Sequence, residues 1–394
     1  MDKIKKALIY AKENTEYYKN IDCNNIENNK VINKKTYVEN TYPNSKNMEA
    51  DCKTAKFVFS TSGTTNNPQY IIRDIEDINY QINDYIGLDI NENDRILNLF
   101  WGGIWGVYTT NNLTLAKTKS TIIPYGGNNI SNLEQLDKVI RDLNINTIFG
   151  VPSTITYLCK YYSEKDNIPN ITKIFCLGEK MDIKTYEYIK SVFKDVNIKT
   201  KYGCMESAGI GYQCINLNCN EYHIFDNRYV EIINPETEEI CKEKEIGKII
   251  VTTLNERLVP LVRYDTGDIG YIENRKCSCG NHKVLTILNR NDDEFIVASV
   301  HISKKTLYNI IDELNSTKEN YQVEIDKYNN LDRITINYEN ENLDINSISS
   351  KIYKENPDLL EVINNHKMND ILFKKINIEK NKISGKSTKF IDRR

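Results

Sequence analysis

The sequence predicts an α/β protein: a large N-terminal region of mixed, mostly parallel sheets with helices, followed by a small C-terminal α/β unit. Three observations predict it. From about residue 57 to 275, apolar runs of strand length alternate with amphipathic segments of helical period, and strand–helix–strand order favours a parallel sheet with helices on its faces. After Arg290 the character changes to a capped helix, two short alternating runs, a further helix and a strand, about a hundred residues in all. At 394 residues the chain also exceeds what one small core accommodates.

The elements follow in order. The first ~50 residues read as an amphipathic helix and a polar loop. Phe57-Val58-Phe59 is a short strand that delivers the hydroxyl-rich loop Ser60-Thr61-Ser62-Gly63-Thr64-Thr65. Side-chain hydroxyls and backbone N–H groups on such a loop suit a phosphate chain. Strand-like runs recur at Thr121-Ile122-Ile123, Thr147-Ile148-Phe149, Lys173 to Leu177 and Gly247 to Val251, with helical stretches at Leu133 to Leu143 and Asp182 to Phe193. Gly150 to Ser153 and Leu177-Gly178-Glu179 follow strands, and ligands of open α/β sheets bind at such carboxyl ends. In the C-terminal unit Ser303 caps a helix with Leu307, Ile310, Ile311 and Leu314 on one face. Strands are expected at Tyr321 to Ile325 and Arg333 to Tyr338, a helix at about 346–354 and a strand at about 370–378.

Composition excludes several classes. Hydrophobic content of 40% and charged content of 27% are ordinary for a globular protein. A net charge of −3 gives no basic footprint for nucleic acid. No run reaches membrane-spanning length, and the lysine-rich N-terminus has helically spaced apolar residues rather than a signal peptide's continuous core. A cytoplasmic protein without membrane partners is expected, its ten cysteines thiols or metal ligands rather than disulfides.

Further motifs follow the hydroxyl loop in fixed order: Lys201-Tyr202-Gly203-Cys204-Met205-Glu206, Arg263-Tyr264-Asp265-Thr266-Gly267-Asp268, Arg290-Asn291-Asp292-Asp293 and Ile383-Ser384-Gly385-Lys386. Together they resemble the adenylate-forming superfamily of acyl-CoA synthetases, adenylation domains and luciferases. Gln69 in place of the loop lysine, the Cys277-Ser278-Cys279-Gly280 segment and the tail running straight to Arg394 resemble the phenylacetate-CoA ligase branch. The resemblance covers nearly the whole chain. It implies an AMP-forming acid–thiol ligase, which joins a carboxylate to the α-phosphate of ATP, expels pyrophosphate and passes the acyl group to CoA. The acid is implied to be aryl or otherwise apolar. A carrier-protein phosphopantetheine or an amine is the alternative acceptor, and a nucleotide- or acyl-binding member without turnover is the alternative of another class.

The resemblance also implies residue roles. Thr61, Ser62, Gly63, Thr64 and Thr65 would hold the ATP phosphates, with Gly178 and Glu179 nearby. Tyr202 would lie against adenine and Gly203 would let the backbone approach. Glu206 would bind Mg²⁺, which bridges phosphates with few protein ligands. Asp268 would accept from the ribose hydroxyls, and Arg290 would approach ribose or phosphate. Lys386 would neutralise charge at the α-phosphate. A domain of residues 1–289 would carry the site, and a mobile lid of 290–394 would rotate about Asp292. Met205 departs from the family's Thr or Ser, and Ala298 or Ser299 stands where a glycine usually lines the pantetheine tunnel.

Cys214, Cys219 and His223 are followed about fifty residues later by Cys277 and Cys279. Two closely spaced ligand groups on separate loops are what a structural tetrahedral zinc site needs. Cys214, His223, Cys277 and Cys279 are the favoured set, with Cys219 a rival to His223.

Overall fold

The computed structural model describes residues 2–60, 69–85, 89–127, 132–179, 181–290, 294–314, 321–339, 343–376, 378 and 390–394. The expected loop Thr61 to Thr65, the hinge Asp292 and Lys386 lie outside the described residues, as does the Arg290 side chain.

Helix α1 (Lys3–Asn14) starts where the Asp2 carboxylate accepts from the Ile4 N–H, and α2 (Lys34–Asn40) is capped in the same way by Asn33. Such caps satisfy N–H groups that the first turn leaves open. Ala11 and Tyr37 from these helices pack with Leu258, Leu261 and Tyr264 in one core. The strands β1 (Lys56–Ser60) and β2 (Tyr70–Asp74) form an antiparallel ribbon, with Phe57 opposite Arg73 and Phe59 opposite Ile71. Asp74 then caps α3 (Ile75–Asn79).

The largest sheet has eleven strands. Its first part is built from β3 (Arg95–Asn98), β4 (Thr121–Ile123), β5 (Thr147–Gly150), β6 (Lys173–Cys176) and β7 (Asn197–Cys204), all parallel in the order β4-β3-β5-β6-β7. The connections carry α4 (Gly106–Leu115), α5 (Leu133–Asp142), α6 (Pro152–Ser163) and α7 (Ile183–Val192). A second core joins these strands to α5, α6 and α7 through Leu136, Ile140, Ile155 and Ile189.

The rest of the sheet differs from the mostly parallel expectation. Strand β7 is long enough to pair with β6 through its first half and with β8 (Ala208–Tyr212), antiparallel, through its second. The sheet continues through β9 (Glu221–Ile224), β10 (Arg228–Ile233), β11 (Gly247–Thr253), β12 (Tyr264–Asn274) and β13 (Lys283–Arg290) with antiparallel pairing. No described helix falls between residues 197 and 290, so no crossover is available to return a strand in parallel. The overall class remains mixed α/β.

The C-terminal elements have their own core. A hairpin of β14 (Glu294–Val297) and β15 (Val300–Ser303) leads into α8 (Lys304–Leu314). Then follow β16 (Tyr321–Tyr328), β17 (Leu331–Tyr338), α9 (Ile345–Glu355), α10 (Pro357–Asn364), β18 (Leu372–Lys375) and β19 (Phe390–Asp392), with sheet order β18-β17-β16-β19. Val323, Ile336, Ile311, Ile352 and Leu359 fill this core. Helix α10 was not expected from the sequence: Asn356-Pro357 reads as a break, but proline at the first helical position is a favoured start. Among the described residues no helix is long and apolar enough to cross a membrane.

Candidate active site and metal centre

A cavity of about 990 Å³ opens at the carboxyl ends of the parallel strands and is roofed by the C-terminal elements. Gly178, Glu179, Tyr202, Gly203, Glu206 and Asp268 all line it. Residues spread over ninety positions of sequence are thus brought to one space.

Tyr202 lies in the second half of β7, opposite Gly211 of β8. Its hydroxyl donates to Asp268 Oδ2 at 2.7 Å and to Thr266 Oγ1 at 3.3 Å. Burial, followed by the Asp268 charge, holds its phenol well above the usual range, so it stays a donor. Gly267 takes a positive φ of 79° that lets β12 present Asp268 to the cavity. Asp268 is paired in register with Arg290 on β13. Gly203 has a different reason from the one expected: a Cβ there would stand 2.3 Å from the Ala208 carbonyl oxygen, so the tight β7–β8 connection already demands glycine.

Glu206 follows on the β7–β8 turn and is 7% exposed. Tyr264 is hydrogen-bonded to it; burial, with this carboxylate beside it, raises the Tyr264 phenol well above its usual range. The backbone around Glu206 is held by three buried arginines that sequence reasoning missed. Arg73 donates to the Met205 carbonyl. Arg257 donates to the carbonyls of Glu206 at 3.1 Å and Ser207 at 3.0 Å, and Arg228 to Ser207 at 2.7 Å. Arg257 also pairs with the buried Asp77 at 3.4 Å. Guanidinium groups suit this task because each offers five donors in a fixed plane. The available signal was charge inside apolar runs, as in Ile71-Ile72-Arg73 and Arg257-Leu258-Val259.

Glu179, expected beside the nucleotide, has a carboxylate already engaged. It accepts from the Ser153 N–H and Oγ, both at 2.7 Å, and from Ser299 Oγ at 2.6 Å. Burial raises its pKa, and these donors work against the rise. Ser299 belongs to the β14–β15 turn, where Ala298 and Ser299 have positive φ of 45° and 68°. Both central residues of this two-residue hairpin are therefore left-handed, the geometry for which glycine is usual. Two more contacts join the C-terminal elements to the large sheet. Lys327 Nζ meets Thr185 Oγ1 at 2.6 Å and Asp182 at 3.1 Å. Lys367 Nζ lies 4.4 Å from the Trp101 ring centre and 3.4 Å from the Gly127 carbonyl oxygen. Burial lowers the Lys367 ammonium to about 8.

Phe100, Trp101, Trp105 and Gly106, from the aromatic stretch that follows β3, also line the cavity. A Cβ on Gly106 would stand 2.8 Å from Met205 Cε and 2.9 Å from the Phe59 ring, so glycine there admits both side chains.

Away from the cavity, Cys214, His223, Cys277 and Cys279 place one ligand atom each within 4.8 Å of all the others. The Cys214–Cys277 and Cys277–Cys279 sulfur separations are 3.5 and 3.3 Å, and Cys279 Sγ is 3.2 Å from His223 Nε2. Zn–S bonds of about 2.3 Å would set two sulfurs on one tetrahedral ion about 3.8 Å apart, so a small outward shift admits the metal. His223 Nδ1 lies 2.8 Å from the Lys283 carbonyl, which orients Nε2 towards the thiols. Cys219 is not brought to this group. It packs against the core of α6 and α7, where burial, then the Asp182 charge, pushes its thiol up to about 11.

Residues 5–255 match the family described as AMP-binding enzyme. Phenylacetate-coenzyme A ligase of Thermus thermophilus is 24% identical over 226 residues, 56% of this chain and 50% of that protein. Indoleacetate–lysine synthetase of Pseudomonas savastanoi is 27% identical over 161 residues, 40% of this chain and 36% of that protein. The chain thus spans half, or about a third, of these relatives' own lengths. A crystal structure of 2-hydroxyisobutyryl-CoA ligase with its acyl-AMP and CoA is similar in fold, with a TM-score of 0.75, 15% identity, and coverage of 99% of this chain and 88% of that one. The match over residues 5–255 takes in well over half of the sequence, and the chain belongs to the AMP-binding enzyme family.

Proposed function

We propose that this protein activates a carboxylic acid with MgATP to an acyl-adenylate and then transfers the acyl group to the thiol of CoA. The observation that carries the reading is the convergence of Tyr202, Glu206 and Asp268 on one cavity at the strand ends. Two anions must meet there in line, so the site has to fix geometry and neutralise charge. Glu206 would hold Mg²⁺, Asp268 the ribose hydroxyls, and the loop of Thr61 to Thr65 the phosphates. When bound, Mg²⁺ supplies charge neutralisation at the phosphates.

Residues 1–289 and 290–394 are read as two domains, a division supported by their separate cores. The lid would turn about Asp292 between the two half-reactions. The contacts of Ser299, Lys327 and Lys367 with the large domain belong to one of those closures, and we assign it to thioester formation. Lys327→Ala combined with Lys367→Ala is then expected to slow acyl transfer from supplied acyl-adenylate about tenfold, while ATP–pyrophosphate exchange changes less than about twofold. Equal losses in both half-reactions would remove the assignment.

An amine acceptor is the second reading. It is favoured by the likeness to a lysine-conjugating synthetase and by Ala298-Ser299 at the turn. The four clustered ligands are read as a structural zinc site, with no open position for catalysis.

Acid-dependent ATP–pyrophosphate exchange over aryl, aliphatic and amino acids, without CoA, tests adenylation. Addition of CoA or free amines, with AMP release as readout, then separates the acceptors. Absence of exchange with every acid, in protein that binds ATP, would point instead to a non-catalytic binding member.

A further inference from the structure

The cavity has a polar wall that neither nucleotide chemistry nor an apolar acid explains. Arg73, Gln81 and Asn111 all line it, and they are 3%, 7% and 2% exposed. Arg73 Nε, Gln81 Nε2 and Asn111 Nδ2 have no hydrogen-bond partner among the described residues. Buried donors left in this condition are costly and rare. Three on one cavity point to a ligand that supplies the acceptors.

The three come from adjoining elements. Arg73 lies opposite Phe57 and Ile71 opposite Phe59, so these four side chains share one face of the β1–β2 ribbon. That face meets α4, because the Phe59 ring abuts Gly106. Asn111 is five residues further along α4. Its Oδ1 accepts from the Tyr85 hydroxyl at 2.8 Å, which leaves the NH₂ as the unsatisfied end. Gln81 is in the same 80–85 segment as Tyr85, and Thr114 Oγ1 donates to the Ile78 carbonyl of the preceding α3, which ties α3 to α4.

Charge adds direction. Arg73 donates to the Met205 carbonyl and makes no ion pair with a described carboxylate; Asp77, whose charge acts on it, is paired with Arg257. A guanidinium buried to this degree ordinarily has an anion beside it. Arg73 pairs with Phe57, three residue pairs along the ribbon from Ser60 and Tyr70.

We propose that the acid activated by this enzyme carries a second oxygen acceptor remote from its reacting carboxylate, with a second carboxylate the best fit. Arg73 is its counter-ion, and Gln81 and Asn111 are its amide donors. This inference rests on the adenylation reading for the reacting end and narrows the expected aryl or apolar acid to one with a polar tail.

Matched acids test it: hexanoate against adipate, phenylacetate against its ring-carboxylated analogue, with hydroxy and oxo analogues between them. The wild type is expected to favour the carboxylated member in ATP–pyrophosphate exchange by about 10²-fold or more in kcat/KM, since a site built for a polar group rejects the analogue that lacks it. Arg73→Met brings the ratio to about one or inverts it, and Arg73→Lys retains part of it. Asn111→Leu and Gln81→Met lower the ratio independently if Arg73→Met does not fold. A wild type that prefers the unsubstituted acids, with the ratio unmoved by these substitutions, overturns the proposal and leaves adenylation standing. If no acid supports exchange, adenylation fails, and the upward melting shift given by the diacid decides the tail separately. A shift lost in Arg73→Met upholds it; an absent or unchanged shift overturns it.

Discussion

Lys386→Ala is expected to lower acid-dependent ATP–pyrophosphate exchange by about 10²–10³-fold or more, while thioester formation from supplied acyl-adenylate and CoA stays within about twofold of wild type. The reason lies in how the described cations are already engaged. Arg73 and Arg257 both donate to carbonyls of residues 205–207, and Arg257 is paired with Asp77. Lys327 is held by Asp182 and Thr185, and Lys367 by Trp101 and Gly127. The groups read as holding Mg²⁺ and ribose, Glu206 and Asp268, are carboxylates, and Lys201, which lines the cavity beside Tyr202, lies over the Phe175 ring. Charge that develops on the α-phosphate needs a cation free to reach it, and Lys386 of the Ser-Gly-Lys motif is the residue proposed. The second half-reaction starts after pyrophosphate has left and has no such need. Lys386→Arg should recover only a small part of the exchange, because a planar fork does not replace a compact point charge. Exchange within about tenfold of wild type in Lys386→Ala would mean that another group supplies the charge.

The sequence was most legible where local chemistry repeats a fixed order. Tyr202, Glu206 and Asp268 stand out in their motifs, and they share a cavity because the end of β7 and the first half of β12 face the same space. The helices Leu133–Asp142 and Ile183–Val192 and the strands between them fell within a residue or two of their periodic signals. Arg73 shows why other parts were not legible. In Tyr70-Ile71-Ile72-Arg73 it reads as the polar end of a strand. Its burial depends on which face of a two-stranded ribbon meets a helix more than thirty residues later, and no local pattern encodes that. The antiparallel half of the sheet was obscure for a related reason: strand-length runs without intervening helices do not state their pairing direction until the tertiary fold closes. Glu179 was placed from its strand-end position, and it does line the cavity, but one donor to its carboxylate, Ser299, is 120 positions away and no local pattern announces it.

Removal of zinc, or Cys279→Ser, is expected to lower the melting temperature by on the order of 10 °C, given about 2–4 °C per kcal/mol for domains of 150–250 residues and the large binding energy of structural zinc. The purified protein should carry one zinc per chain. The size of the effect follows from where the four ligands sit. Strand β9 is attached to its neighbours by short ladders: two residue pairs join it to β8 and two join it to β13. His223 is on β9 itself, Cys214 follows β8, and Cys277 and Cys279 are in the connection from β12 to β13. A metal on these four groups staples both weak seams at once. Without it they depend on those ladders and on side-chain contacts such as the Arg275–Glu221 ion pair, which is partly exposed and of small worth. The loss should reach the active site, because the β12–β13 hairpin that the cluster anchors carries Asp268, paired with Arg290, at its other end. ATP affinity is therefore expected to fall with metal removal even below the melting transition. Cys219→Ser, outside the cluster, serves as the control and should leave metal content unchanged. Protein purified without stoichiometric metal, together with a Cys279→Ser variant that melts within about 2 °C of wild type, would show that the four groups are held together by packing alone.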